Sequence, residues 1–203
     1  MSDQAEGRPK RGMRSGRLEA FTDGVVAIVI TIMVLELKVP QEGTLEALSA
    51  SMPILLAYVL SFINVGLYWN NHHHLMQATG RIDGRVLWAN LFLLFWLSLV
   101  PFVIRWLDAS AFSAMATASY GVVLGMAAIG YELTERSIIA CNGRQSAVAK
   151  AIGRDWKGKI SLALYVVAVP AAFFARPVAI ILYVVVLIFW LPPDSRIERE
   201  LGH

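Results

Sequence analysis

The sequence predicts an all-α membrane protein with six transmembrane helices in a single domain, and three observations predict it. Hydrophobic residues make up 57% of the chain and charged residues only 16%, well under the roughly 25% charged that is usual in soluble domains. Several apolar runs approach the ~20 residues needed to cross a hydrocarbon core. The Lys and Arg residues fall almost wholly on one side of the membrane once the chain is threaded through six crossings with both ends inside: Lys38, Arg105 and Arg176 lie outside, and the other fifteen of the 18 lie inside. Positive-inside asymmetry of this size predicts cytoplasmic N and C termini.

Taken in order, the helices are expected at Leu18 to Val39, Met52 to Met76, Val86 to Leu107, Phe112 to Leu133, Ile160 to Phe174 and Val178 to Leu191. The last two are short. One helix of about thirty residues at ~1.5 Å each would be ~50 Å long, against a core of ~30 Å, so Arg176-Pro177 reads as a tight turn between two spans. Pro101 and Pro170 are expected to kink the third and fifth spans. Thr117, Gly121 and Gly125 in the fourth, four residues apart, let a neighbouring backbone come close. The domain reading is a basic cytoplasmic N-terminus at 1–16, a transmembrane domain at 17–193 and a cytoplasmic tail at 194–203. The opening MSDQAEGRPKRG has no short apolar stretch and cleavage site behind it, so no removable signal peptide is expected. The single cysteine, Cys141, rules out an intramolecular disulfide and any cysteine-only metal site. The formal charge of +3 is what flanking basic residues produce in a membrane protein, and no nucleic-acid partner is expected. The expected surroundings are a lipid bilayer.

The first helix carries the most specific pattern. Steps of fours and threes link Arg17, Phe21, Gly24, Ile28, Thr31 and Leu35 on one stripe, the seam spacing of helices that face a common partner or axis. If identical first helices surrounded one axis, Ile28, Thr31 and Leu35 would form successive rings at membrane depth. Thr31 also has a purely structural use, since a membrane threonine commonly bonds a carbonyl one turn earlier. At the far end of this helix Glu36 could concentrate cations, while Lys38 would oppose it.

Asp23 points away from that stripe toward neighbouring helices, where a carboxylate near a membrane boundary needs a partner. The second helix ends in YWNNHHHLM at the same membrane level. Trp69 and His73 share one of its faces, and Tyr68 and His72 another. One of these histidines could hydrogen-bond Asp23 or a backbone carbonyl, with the Trp69 indole as a further donor. The histidines also suit a plain interfacial cluster. Metal ligation is disfavoured, because adjacent histidines diverge and no H-E-x-x-H motif or cysteine pair completes a ligand set.

Arg17-Leu18-Glu19-Ala20-Phe21-Thr22-Asp23 resembles the R-x-x-x-F-S-D signature of the potassium-channel family named for transmembrane protein 175. The sequel GVVAIVITIMVLEL is similar to that family's first helix, and Trp69-Asn70-Asn71-His72, followed by His73, to its W-x-x-H segment. Thr22 replaces the serine, keeping a hydroxyl and adding a methyl to be accommodated. The resemblance implies a homotetramer around a central pore, with first helices lining it and apolar rings in place of a carbonyl filter; no T-V-G-Y-G segment is present. By position, it makes Ile28, Thr31 and Leu35 the constricting layers. It makes Arg17, Phe21, Thr22 and Asp23 a structural network with Trp69 and a second-helix histidine, His72 or His73. The implied function is a channel for monovalent cations, permeable to K+, with modest preference over Na+ and a hydrophobic gate. No cofactor is implied, and a bacterial plasma membrane is the expected location.

Two other classes compete. A proton-coupled secondary transporter would use Asp23 and the second-helix histidines, but these sit near the membrane edge and no inverted repeat or broken-helix pair is evident. A membrane enzyme would need a catalytic constellation, and Glu19, Asp23 and Glu132 form no recognisable spacing with a nucleophile or metal site, so no catalytic residues are assigned.

Overall fold

A computed structural model describes residues 15–40, 42–152 and 156–191. The expected N-terminal segment 1–16, apart from Ser15 and Gly16, and the expected tail 194–203 lie outside the described residues. The regular elements are α1 (Gly16–Leu35), α2 (Leu45–Ala50), α3 (Met52–Gln77), α4 (Gly84–Ser98), α5 (Val100–Ala109), α6 (Ala114–Asn142), α7 (Ala147–Ile152), α8 (Trp156–Phe174) and α9 (Arg176–Trp190). Every helix among the described residues is α, and five stretches are long and apolar enough to cross a membrane, with α4 and α5 counted as one stretch, Gly84–Ala109. The sixth expected crossing is α9, apolar but only 15 residues long, or ~22 Å at the standard rise.

Local chemistry explains where the boundaries depart from expectation. α1 stops at Leu35 rather than Val39, because Pro40 biases the residue before it away from helix and because Glu36 and Lys38 turn aside to reach α5. α2 is a short turn of helix the pattern did not foresee, capped by Thr44, whose hydroxyl accepts from Ala47 N at 3.2 Å. The third span divides at Leu99, two residues before Pro101, which occupies the first turn of α5 where its missing N–H costs least. α8, by contrast, runs as one helix through Pro170. α6 begins at Ala114 rather than Phe112, since Ala111 and Phe112 both take positive φ, 48° and 56°. It continues past Leu133 to Asn142 with a Glu132–Arg136 pair one turn apart, and stops where Gly143 adopts φ 93°. The turn before α9 centres on Ala175, so Arg176 and Pro177 already belong to the helix rather than to the turn.

α6 is the central helix, packed most extensively against α4 and α8. Its small residues make this possible, though not only by backbone approach. A side chain at Gly121 would collide with the Tyr183 hydroxyl and one at Gly125 would press on the Tyr165 ring, so two tyrosines fill those notches; the backbone approach is at Gly130, against Leu93 of α4. The buried core of Met33, Val65, Leu93, Leu97 and Ile104 ties α1 and α3 to this centre.

Candidate pore-lining face and its polar anchor

α1 has two unlike sides. Leu18, Thr22, Val26, Val29 and Met33 are buried within the subunit. The stripe read from the sequence is the other side: Arg17, Phe21, Gly24, Ile28, Thr31 and Leu35 are all exposed on the single subunit, Ile28 at 58% and Leu35 at 79%. Isoleucine and leucine left this open on a helix otherwise packed into a core form an apolar surface without a partner in the subunit. A groove of about 640 Å³ runs alongside, bounded by Ile28 and Ile32 of α1 and by Pro101 and Phe102 of α5.

Thr31 donates its hydroxyl proton to Ile28 O at 2.9 Å. This is the local bond open to any membrane threonine, and it has a further effect: with the proton held on the helix, the hydroxyl oxygen presents lone pairs outward.

The N-terminal half of α1 is held by two polar layers. The buried layer joins three helices. Asn90 Nδ2 of α4 donates to Thr22 Oγ1 at 2.9 Å, and Asn90 Oδ1 lies 2.9 Å from His72 Nε2 of α3. With its amide nitrogen committed to Thr22, Asn90 presents the oxygen to His72, so the imidazole carries its proton on Nε2. Thr22, His72 and Asn90 are each no more than 1% exposed, and the methyl that distinguishes threonine from serine is accommodated there. The second layer is half-exposed. Trp69 Nε1 donates to Asp23 Oδ1 at 2.9 Å, and His73 Nδ1 lies 2.8 Å from Glu19 Oε1. Trp69 and His73 stack, with centroids 5.9 Å apart and planes 17° from parallel. Glu19 and Asp23 are one turn apart on α1, Trp69 and His73 one turn apart on antiparallel α3, so two bonds close a matched rung between the helices. Gln77 Nε2 reaches His73 Nε2 at 2.8 Å, which leaves His73 Nδ1–H to donate to Glu19.

The structure thus brings together Thr22, Asp23, Trp69, His72 and His73, but in two separate layers. Asp23 bonds Trp69, and neither histidine is its hydrogen-bond partner: His73 goes to Glu19 and His72 to Asn90. Arg17 and Phe21 are exposed and stand outside both layers. Sequence reasoning missed Asn90 altogether, and passed over Glu19 and Gln77 as His73 partners. The available signal for Asn90 was an isolated amide in the apolar run LWANLFLLFW, which in a membrane must find a partner. At the other end of α1, Glu36 pairs with Arg105 at 3.1 Å and Lys38 with Asp108 at 2.8 Å, so both charges are drawn to α5. Among the described residues no cluster of three or more His, Cys, Asp or Glu could hold a metal ion.

The family model described as "Endosomal/lysosomal potassium channel TMEM175" matches residues 17–101. A potassium channel of Chryseobacterium sp. (strain P1-3) is 50% identical over 189 residues, covering 93% of this chain and 98% of that protein. The crystal structure of a lysosomal potassium-selective channel TMEM175 homolog from Chamaesiphon minutus superposes with a TM-score of 0.73 at 27% identity, covering 89% of this chain and 98% of that one. The endosomal/lysosomal proton channel TMEM175 of Homo sapiens is 46% identical over 79 residues, 31% of this chain and 16% of that protein.

Proposed function

Because this chain belongs to the TMEM175 family, whose members are ion channels and not enzymes, we propose that four copies surround an axis lined by α1 and conduct K+ across a bacterial plasma membrane, with both termini cytoplasmic. The chain is an integral membrane channel; its pore follows from the stripe. Ile28, Thr31 and Leu35 form three successive constricting layers. The apolar layers offer few oxygens in place of an ion's water, so passage favours the cation that sheds water at least cost, K+ before Na+. Thr31, its proton held by Ile28 O, supplies hydroxyl oxygens at the middle layer. Preference over Na+ is modest because no rigid cage of oxygens replaces the hydration shell, and the same rings close the pore by dewetting.

The observation that carries this reading is the exposure of Ile28 and Leu35 on a helix whose opposite side is buried and hydrogen-bonded into the subunit. The neighbouring groove gives an adjacent copy a surface to pack against. The transporter alternative gains nothing from the histidines, since His72 is sealed in the core with Asn90 and His73 is bonded to Glu19 and Gln77. Flux into liposomes holding the purified protein tests the reading. Ile28→Asn or Leu35→Asn is expected to raise K+ flux and reduce the preference over Na+; if neither changes conductance or ion preference, the pore lies elsewhere.

A further inference from the structure

Two cavities of similar size lie inside each subunit, away from the α1 stripe, and they meet at Asn64. The first, about 40 Å³, runs between α3, α6, α8 and α9, from Asn71 and Glu132 at its mouth to Asn64 and Tyr165 at its deep end. The second, about 50 Å³, continues on the other side of Asn64 toward Phe112 and is walled mainly by apolar side chains. Asn64 sits midway along α3 and Tyr165 midway along α8, so the deep end of the first cavity is near the middle of the membrane, ~10 Å from its mouth by the rise of α3.

The two differ in their polar bookkeeping. In the second, each hydroxyl has a protein partner: Tyr183 donates to Thr117 O at 3.1 Å, and Tyr120 shares a 2.9 Å bond with Ser61. In the first, the Asn64 side chain faces the Tyr165 hydroxyl as a hydrogen-bonding neighbour, yet Asn64 Oδ1 has no partner within the protein and no contact of the hydroxyl reaches full hydrogen-bond geometry, although the residues are 8% and 3% exposed. Buried oxygens at membrane depth require a partner.

We propose that the first cavity is a hydration site, holding a file of ordered waters that bridges Asn64 Oδ1 and the Tyr165 hydroxyl and carries water to mid-membrane inside each subunit, while the second cavity stays dry. Size selects water: at ~10–15 Å³ for each molecule the first cavity takes about three, whereas a drug-sized ligand needs several hundred Å³. Polarity agrees, because both unpaired oxygens belong to residues lining this cavity, and Tyr165 lines this one and not the second. Asn64 is then the boundary between wet and dry halves. The site is independent of the pore reading, since no residue of α1 lines it.

Synchrotron hydroxyl-radical footprinting of the intact protein in liposomes tests this, because radicals form from bound water where it sits. Tyr165, the most buried of the three, is expected to oxidise several-fold faster than Tyr120 or Tyr183, which are 8% and 7% exposed. Asn64→Leu, which removes the polar floor and fills the space, is expected to bring Tyr165 down to their rate. Oxidation of Tyr165 at or below the rate of Tyr120 and Tyr183 in the unmodified protein overturns the proposal, whatever the variant does.

Discussion

The two ends of α1 are both tied to the rest of the subunit by polar groups, yet by opposite means. At the Thr22 end the bonds are buried and short-range, with Thr22, Asn90 and His72 essentially inaccessible to solvent. At the Glu36 end the ties are ion pairs whose basic partners lie on the surface of the subunit, Arg105 at 70% and Lys38 at 74% exposed. Buried hydrogen bonds between uncharged groups are insensitive to salt and costly to break; exposed ion pairs are worth ~0–1 kcal/mol and are screened. The lesson is one of mechanical asymmetry. α1 is anchored where it enters the membrane and held adjustably where Leu35 narrows the proposed pore, so changes in aperture are expected at the Leu35 layer before the Ile28 layer.

The sharpest way to break the comparison is at Asn90. Asn90→Leu leaves the His72 imidazole and the Thr22 hydroxyl without their partner in a site with no water access. At about 1–3 kcal/mol for each orphaned group, the expected loss is about 2–6 kcal/mol. Thermal unfolding of the purified protein followed by size-exclusion chromatography measures it. A stability unchanged by Asn90→Leu would show that the buried layer does not anchor α1.

The half-exposed rung comes next. Asp23→Asn keeps the shape and removes the charge that strengthens the Trp69 bond, a change of about 1 kcal/mol for a bond partly open to solvent. The yield of assembled oligomer is expected to fall, and Trp69→Phe is expected to add little in an Asp23→Ala background, which removes the acceptor, because the two then act through one bond. Additive losses in that double-mutant cycle would dissolve the rung into unrelated effects.

How legible this was in the sequence differs between the layers. The facing of α1 was visible, because a three-and-four spacing reports which side chains share a stripe, and so was the level at which Asp23 meets the end of α3, because helix length and topology set depth. What covers the stripe is not written in periodicity, which is the same for a seam, a lipid face or a core. Asn90 was illegible for another reason: its partners Thr22 and His72 come from elements 68 and 18 residues away in the chain, and a lone amide names no partner until the helices are packed. The interruption of the third span at Leu99 falls where Pro101 was expected to kink it, but the start of α6 erred where the positive φ of Ala111 and Phe112 decided it, and α2 was missed because six residues carry too little periodicity to register.

The smallest expected effect falls at the Glu36 end, and it separates adjustable from merely weak. Arg105→Gln removes the cation from a pair whose carboxylate is 21% exposed; the expected change in stability is ~1 kcal/mol or less, too small to disturb the fold. Its consequence for conduction is larger than its energy suggests, because Glu36 is released beside the last turn of α1 and becomes a free negative charge near the Leu35 layer. Cation flux is therefore expected to rise at low salt and to converge on that of the unmodified protein near 1 M, where the screening length is ~3 Å. Glu36→Gln in the same background removes that charge and is expected to cancel the gain. A flux increase that survives high salt would mean that Arg105 acts by packing against α1 rather than by charge, and the Glu36 end would then be anchored by contact in the same sense as the Thr22 end.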